Sequence, residues 1–378
     1  HFERITELLE KKVHETVLEV NLDAVVHNFN HFRSKLHRDT KMVCMVKAFG
    51  YGAGSYEVAK TLQEHRCDYL AVAVADEGEA LRKEGISIPI IVMDPEFSSF
   101  NVLFERQLEP EVYSFRLLDA LMKEAGRRGI TSYPIHIKID TGMHRLGFRP
   151  SDVREICQRL EQQSSLVVRS VFSHLVGSDS PEHDEFTRGQ IRLFTQSAEA
   201  LEAGLGYPVL KHILNSAGIE RFTGHQMDMV RLGISLYGIS ASVSEAKKLQ
   251  PVSSLKTTIL QIRDVPAGDS IGYSRKTYAQ CDLRVAILPI GYADGLDRHL
   301  SNGVGEVVIN GTRCPIVGNI CMDICMVDVT DADAQEGDTA IIFGSQLPVT
   351  EIADKLDTIP YEILTSISPR VKRIYYRE

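Results

Sequence analysis

The chain has 378 residues, 43% of them apolar and 25% charged, and its 42 Lys plus Arg stand against 51 Asp plus Glu for a formal charge of -9. At roughly 100–200 residues per domain this length allows two or three domains, and the composition is that of a globular protein with a large core, not a disordered chain. The acidic balance argues against docking on a nucleic-acid backbone, and no apolar run approaches the roughly 20 residues of a membrane-spanning helix.

His1 to Glu15 is charged and lacks the apolar core of a signal peptide. The missing initiator Met implies a chain trimmed or cut from a longer polypeptide. From Val17 to about Ser242, short apolar runs alternate with segments of helical spacing. The runs are Met42–Val46, Tyr69–Val74, Ile88–Met93, Ile135–Ile139, Val167–Phe172, His212–Leu214 and Gly233–Ile239. Between them lie Leu22–Leu36, Ser55–Glu64, Asp76–Lys83, Phe115–Gly126, Pro150–Gln162 and His183–Ala203. Continuous Val/Ile/Leu runs are what strands buried on both faces of a parallel sheet show. Roughly eight such β-then-α units predict a TIM-like (β/α)8 barrel. An open doubly wound sheet is the alternative, weakened because no GxGxxG opens a helix. After Pro251 the rhythm becomes strand-like: Leu255–Val265, Leu283–Leu288, Gly305–Ile309, Cys325–Val329 and Thr339–Phe343, with one helix near Thr350–Leu356. Strands without intervening helices imply a separate, mainly β domain. The expected division is a barrel with an N-terminal extension over 1–246 and a β domain over 247–378.

Seven Cys, at positions 44, 67, 157, 281, 314, 321 and 325, form no CxxC pair. The odd number argues against a disulfide framework, and free thiols fit a reducing compartment. Cys321 and Cys325 lie four apart, but no further His or Cys completes a ligand set, so no metal is expected.

Several short motifs carry chemistry. Met42–Val46 runs into Lys47, then Ala48-Phe49-Gly50-Tyr51-Gly52-Ala53-Gly54 and a helix. A Lys at the C-terminal end of an early barrel strand lies where such barrels place active sites. Desolvation there lowers its pKa and makes it a nucleophile or base, and the glycines admit a phosphate at a helix N-terminus. On these features alone, a snorkelling strand-end Lys before an ordinary glycine turn is the favoured reading. His136-Ile137-Lys138-Ile139-Asp140-Thr141-Gly142-Met143-His144-Arg145-Leu146-Gly147 is a strand entering a polar turn. Its guanidinium at Arg145 suits a carboxylate or phenolate. Phe172-Ser173-His174 ends another strand, where a His is either a core residue or a functional one. Asn215-Ser216-Ala217-Gly218 offers Ser216 as a helix N-cap.

Together these motifs resemble the alanine racemase family over nearly the full chain. Met45 to Gly54 is similar to that family's V-V-K-A-N-A-Y-G-H-G, departing at Phe49-Gly50 and Ala53. The resemblance implies that Lys47 binds pyridoxal 5'-phosphate (PLP) as a Schiff base and that Tyr51 contacts the phosphate. Lys138 to Gly147 resembles K-x-D-T-G-M-x-R-L-G, with His144 where Gly is more usual. It implies that Arg145 meets the phenolic oxygen and the substrate carboxylate, and that Lys138 supports it, carbamylated or as an ion-pair partner. By the same resemblance His174 lies beside the pyridine ring, His212 supports from behind, and Ser216 binds phosphate. Arg231-Leu232-Gly233-Ile234-Ser235-Leu236-Tyr237-Gly238 resembles R-x-G-I-x-L-Y-G. That implies Arg231 on the pyridine nitrogen and the Gly233 and Ile234 amides on the phosphate. An always-charged Arg disfavours protonation of that nitrogen and so moderates the cofactor as an electron sink.

In the β domain, Ile271-Gly272-Tyr273-Ser274 resembles the loop of the second base, Tyr273. Gly318-Asn319-Ile320-Cys321-Met322-Asp323 resembles G-x-x-C-M-D, with Asn319 where Arg is frequent. Met322 would bind the substrate carboxylate through its backbone, with Cys321 and Asp323 in support. Pro360-Tyr361-Glu362 implies Tyr361 on the phosphate. The resemblance implies L-/D-alanine as substrate, a two-base reaction with Lys47 and Tyr273, and a homodimer in which Tyr273 and Met322 serve the partner's site. It also implies a cytoplasmic enzyme supplying peptidoglycan. A broad-specificity racemase, a PLP decarboxylase and a non-enzymatic PLP-binding protein are the alternatives; Arg231 argues against the second, the β-domain motifs against the third. Phe2 to Val17 resembles the join in fusions of a muramyl-peptide ligase to such a racemase.

Overall fold

The computed structural model describes residues 15–378; the expected N-terminal extension and fusion join lie, as far as His14, outside the described residues. The chain divides into two compact units, one of Val25–Gly50 with Ser55–Gln250, the other of the described residues up to Ala24 with Tyr51–Gly54 and Pro251–Glu378.

In the first unit eight parallel strands close into a barrel. β1 is Val17–Asn21 and belongs to the other unit. The barrel comprises β2 (Lys41–Met45), β3 (Tyr69–Val72), β4 (Ile90–Val92), β5 (Glu109–Val112), β6 (Tyr133–Lys138), β7 (Leu166–Phe172), β8 (Leu210–His212) and β9 (Met229–Leu232), with β9 pairing back on β2. The expected TIM-like barrel is therefore present. Its helices form for local reasons. Over Phe115–Arg127, Leu117, Leu118, Leu121 and Ala125 recur at helical spacing and are buried, and Ser114 Oγ accepts the Leu117 N–H at 3.2 Å as N-cap. Burying each such Leu contributes about 1.5–3 kcal/mol. The 22-residue helix Asp184–Leu205 stops at Gly206, whose φ of 77° is the left-handed stop that glycine permits.

Two strands differ from expectation. β5 reads as polar, because Glu109 and Glu111 point their carboxylates into the barrel, where His136 and Lys138 meet them. The last barrel strand is Met229–Leu232, four residues earlier than the run Gly233–Ile239; that apolar run is instead a buried 3-10 turn over Ile234–Tyr237.

The second unit is built on a nine-stranded sheet. After β1 come β10 (Ser253–Thr258), β11 (Gln261–Val265), β12 (Ser270–Ile271), β13 (Thr277–Tyr278), β14 (Leu283–Leu288), β15 (Glu306–Ile309), β16 (Thr312–Val317), β17 (Cys325–Asp328), β18 (Thr339–Phe343) and β19 (Lys372–Tyr376). Their order is β11-β14-β17-β16-β15-β18-β10-β1-β19, with β12 and β13 as a separate ribbon. Val285, Leu288, Val307, Ile309, Ile316, Val327, Ile342 and Phe343 are buried in its core. The expected barrel span of 1–246 thus differs at its start. β1 runs antiparallel to β10 and parallel to β19, so residues 17–21 are sheet, not barrel.

Candidate active site

Lys47 leaves the C-terminal end of β2, the first barrel strand. The three residues after it are left-handed, with φ of 51°, 56° and 59° at Ala48, Phe49 and Gly50, and Tyr51 follows at 51°. Each non-glycine residue there costs roughly 1–2 kcal/mol, so surrounding bonds must hold the turn. Glu77 supplies one: its Oε2 accepts the Ala48 N–H at 2.8 Å while Oε1 accepts the Ala73 N–H at 2.8 Å. The Gly50 N–H reaches Val46 O at 3.0 Å, Ser55 Oγ donates to the same carbonyl at 3.2 Å, and Tyr237 Oη donates to Met45 O at 2.9 Å. The Lys47 side chain is thereby presented from a fixed backbone. Burial lowers its pKa; Asp94 and Glu77 oppose this, and Arg145 and Lys138 add to it. A larger share of free amine follows, which is what a nucleophilic lysine requires.

Cations converge on the barrel interior. Lys138, at the end of β6, is buried; its Nζ lies 3.4 Å from Glu111 Oε1 and 5.9 Å from the Phe172 ring centroid. It makes the ion pair that was one of its two expected roles. Glu111 is itself buried, and its Oε2 has no hydrogen-bond partner. Burial pushes its carboxyl up to about 7, against the pull of Lys138 and Arg145. Arg231, on β9, is buried and donates from Nη1 to His212 Nδ1 at 2.9 Å and from Nη2 to Ser173 O at 2.6 Å. Burial brings its guanidinium down to about 10, with Glu111 resisting, so it stays charged near neutral pH. His212 stacks on Phe172 with ring centroids 4.8 Å apart; burial, then Arg231, hold its pKa well below the ordinary value. Burial, then the charges of Arg231, Arg145, Lys138 and Lys47, take His174 down to about 3, so that imidazole is neutral.

Arg145 is exposed on a turn organised by Asp140, whose Oδ1 accepts the N–H groups of Gly142 and His144 at 3.0 Å each. His144 takes the left-handed conformation, φ 56°, that the family's more usual glycine adopts without cost, and its Nδ1 lies 3.1 Å from Asp140 Oδ2. The loops after the seventh and eighth barrel strands, β8 and β9, each lead into a short helix, Ser216–Arg221 and Ile234–Tyr237. This is where such barrels place a phosphate. Gly233 N–H donates to Ser216 Oγ at 2.9 Å, so three of the expected phosphate ligands, Ser216, Gly233 and Ile234, form one local unit. The N-cap itself is Asn215 and not Ser216: Asn215 Oδ1 accepts from Gly218 N–H at 3.0 Å and from Ser178 Oγ at 2.7 Å.

In the second unit, Tyr51 and Tyr361 rings pack at 5.8 Å, and burial, then Tyr361, raise the Tyr51 pKa. Gly52 allows this arrangement. Its φ is +82°, and an added Cβ would lie 2.2 Å from Leu364 O. Tyr273 opens a short 3-10 turn and is 70% exposed; Asn319 Nδ2 donates to its carbonyl at 3.3 Å. Met322 is 54% exposed, and the carbonyls of Cys321 and Met322 accept the Tyr292 and Ala293 N–H groups at 3.0 Å each. Arg370 ties this loop down, donating from Nε to Asp294 and from Nη2 to Asp323, both at 2.7 Å. Glu77, Glu111 and Arg370 escaped the sequence reading. Only Glu77 carried a signal, the acidic first turn of a helix; the partners of the other two lie far along the chain. No group of three or more His, Cys, Asp or Glu among the described residues is arranged to hold a metal.

Comparison with known proteins places this geometry. Two family models match, "Alanine racemase, N-terminal domain" over residues 20–241 and "Alanine racemase, C-terminal domain" over residues 252–375. The chain is 39% identical over 375 residues to alanine racemase 2 of Caldanaerobacter subterraneus subsp. tengcongensis, covering 96% of this chain and 95% of that one. Among solved structures it resembles the alanine racemase of Clostridium difficile 630, with a TM-score of 0.92, 35% identity and 97% of each chain covered. It also resembles that of Bartonella henselae, solved with covalently bound pyridoxal phosphate, with a TM-score of 0.86, 28% identity and coverage of 96% of this chain and all (100%) of that one.

Proposed function

This chain belongs to the alanine racemase family and interconverts L- and D-alanine with PLP as cofactor, and from that premise we infer that Lys47 and Tyr273 are its two bases. The observation that carries the assignment is Lys47 itself: a partly buried amine of lowered pKa, at a barrel strand end, on a backbone held by Glu77. The residues present fit the cofactor. The adjoining short-helix N-termini after β8 and β9 suit a phosphate, and Lys47 supplies the amine that binds an aldehyde. Arg231 supplies a buried donor, charged near neutral pH, for a ring nitrogen, and His174 a neutral imidazole beside it.

In this reading Ser216 and the amides of Gly233 and Ile234 hold the phosphate, with Tyr51 and Tyr361. Arg145 and the Met322 backbone hold the substrate carboxylate. Lys138 and His212 support Arg145 and Arg231, and Cys321 and Asp323 shape the Met322 loop. When bound, PLP withdraws electrons from the amino acid attached to it and so acidifies the Cα–H. Arg231 keeps its proton, so it does not hand one to the ring and the withdrawal stays moderate. Lys47 Nζ moves the Cα proton of D-alanine, and Tyr273 Oη that of L-alanine, on opposite faces. Tyrosine titrates near ~10 and needs a neighbouring cation to act at neutral pH.

Tyr273 and Met322 are both more than half exposed in one chain. We assign them to the site of a partner subunit in a homodimer, and diluting the enzyme to monomers then abolishes turnover. The seven free cysteines fit a cytoplasmic enzyme supplying D-alanine to peptidoglycan, and no helix among the described residues is long and apolar enough to cross a membrane. The test combines two steps. Borohydride reduction of the holoenzyme, followed by peptide mapping, places the cofactor on Lys47; a label elsewhere overturns the assignment. Tyr273→Phe lowers racemisation by about 10²–10⁴-fold. In D2O this variant still exchanges the Cα proton of D-alanine through Lys47 but not that of L-alanine; equal exchange of both refutes the role of Tyr273.

A further inference from the structure

Five consecutive barrel strands each contribute one polar side chain to a hydrogen-bonded belt: Glu109 on β5, His136 on β6, Ser170 on β7, His212 on β8 and Arg231 on β9. All five are buried. Barrel interiors of this type are ordinarily filled by branched apolar residues, so a continuous polar belt here calls for an explanation. The links are Arg231 Nη1 to His212 Nδ1 at 2.9 Å, His212 Nε2 to Ser170 Oγ at 3.0 Å, Ser170 Oγ to His136 Nδ1, and His136 Nε2 to Glu109 Oε1 at 2.9 Å.

With one proton on each ring, the two ends set the direction of every bond. A guanidinium only donates, so His212 Nδ1 accepts and the ring carries its proton on Nε2. That proton is donated to Ser170, whose hydroxyl passes its own hydrogen to His136 Nδ1. His136 is left with its proton on Nε2, aimed at a carboxylate that only accepts. All the bonds then run one way, from Arg231 to Glu109. Buried networks are stable only when every member is satisfied, and removing the terminal acceptor orphans the His136 N–H. The ring can then recover a bond by moving its proton to Nδ1 and donating to Ser170, whose own hydroxyl hydrogen loses its acceptor; Ser170 must then reorient, which loosens the grip on His212 and Arg231.

We propose that Glu109 is a positioning residue for the racemisation, holding the orientation of Arg231 through His136, Ser170 and His212. This rests on the assignment of Arg231 to the cofactor ring. Glu109 has no assigned contact with cofactor or substrate and acts only along the belt.

The test compares Glu109→Leu, which accepts nothing, with Glu109→Gln, which keeps an acceptor and drops the charge. Nitrogen NMR of histidine-labelled holoenzyme should show both His136 and His212 as the neutral Nε2–H form in the wild type and in Glu109→Gln. In Glu109→Leu, His136 should switch to Nδ1–H. Its kcat should fall about 10-fold with KM for alanine little changed, below the roughly 100-fold that an ångström of misplacement can cost. Glu109→Gln should restore most of that loss. A doubly protonated or Nδ1–H His136 in the wild type overturns the belt's direction, even if Glu109→Leu does not fold. A tautomer switch in Glu109→Leu with wild-type kcat overturns the positioning role. Separately, an unchanged cofactor absorption spectrum in Arg231→Lys overturns the assignment of Arg231 to the ring, whatever Glu109 does.

Discussion

Glu111 offers a quantitative check on the electrostatics of the barrel interior. Its carboxyl is pushed from 4.5 to about 7, chiefly by burial. At about 1.4 kcal/mol per pK unit, that displacement corresponds to about 3 kcal/mol. The folded chain keeps a proton that the unfolded chain has released, so stability falls as pH rises from about 4.5 to about 7 and is level beyond. Glu111→Gln removes the titration. It also weakens the Lys138 contact, but that loss is a constant offset once Glu111 has been replaced. The informative quantity is the difference between wild type and variant across roughly pH 5 to 8, expected to shrink by about 2–3 kcal/mol in the direction unfavourable to wild type. For a unit of this size each 1 kcal/mol moves Tm by about 2–4 °C, so the two calorimetric Tm curves should converge or cross by about 4–12 °C. Parallel curves would refute a raised pKa. A difference that grows in favour of wild type with pH would show that Lys138 outweighs burial and holds Glu111 as an anion.

Two further outcomes follow from local geometry. Gly52→Ala places a Cβ 2.2 Å from Leu364 O on a backbone at φ +82°; thermal unfolding should show a loss of more than about 2 kcal/mol, and an unchanged Tm would contradict the packing of Tyr51–Gly54. Asn215→Ala removes the cap of Ser216–Arg221 and should cost about 1 kcal/mol, whereas Asn215→Asp keeps the acceptor and should stay close to wild type in the same melt.

Much of the fold was legible because its signals run along the chain. Lys47 follows an unbroken apolar strand, and the helices over 55–64 and 115–127 show their buried faces at regular spacing. The exceptions have physical causes. β5 hides because Glu109-Pro110-Glu111 looks like a loop, and its carboxylates become strand-compatible only once β6 brings His136 and Lys138 beside them. β1 was read with the barrel because nothing in Val17–Asn21 shows which sheet will take it; its partners, β10 and β19, lie more than 200 residues away. The apolar run 233–239 mimics a strand because a 3-10 turn that is buried all round needs the same residues.

The site divides along the same line. Lys47, Arg145, Ser216 and Arg231 sit inside contiguous motifs, so the sequence names them. What sets their charge and orientation comes from strand register, which places one residue per strand side by side around the barrel. Glu111 meets Lys138, and Glu109 meets His136, only because β5 and β6 are adjacent and aligned Glu111 with His136. The physical demand is clear once the cations are counted. Lys47, Lys138, Arg231 and the more exposed Arg145 all act on one buried imidazole, and each lowers the pKa of His174. Such a cluster calls for buried carboxyl groups close by. The barrel supplies two, Glu111 beside Lys138 and Glu109 reached from Arg231 through His212, Ser170 and His136. Direct pairing holds Lys138 in place, and pairing at a distance leaves Arg231 its full positive charge while fixing which way it faces.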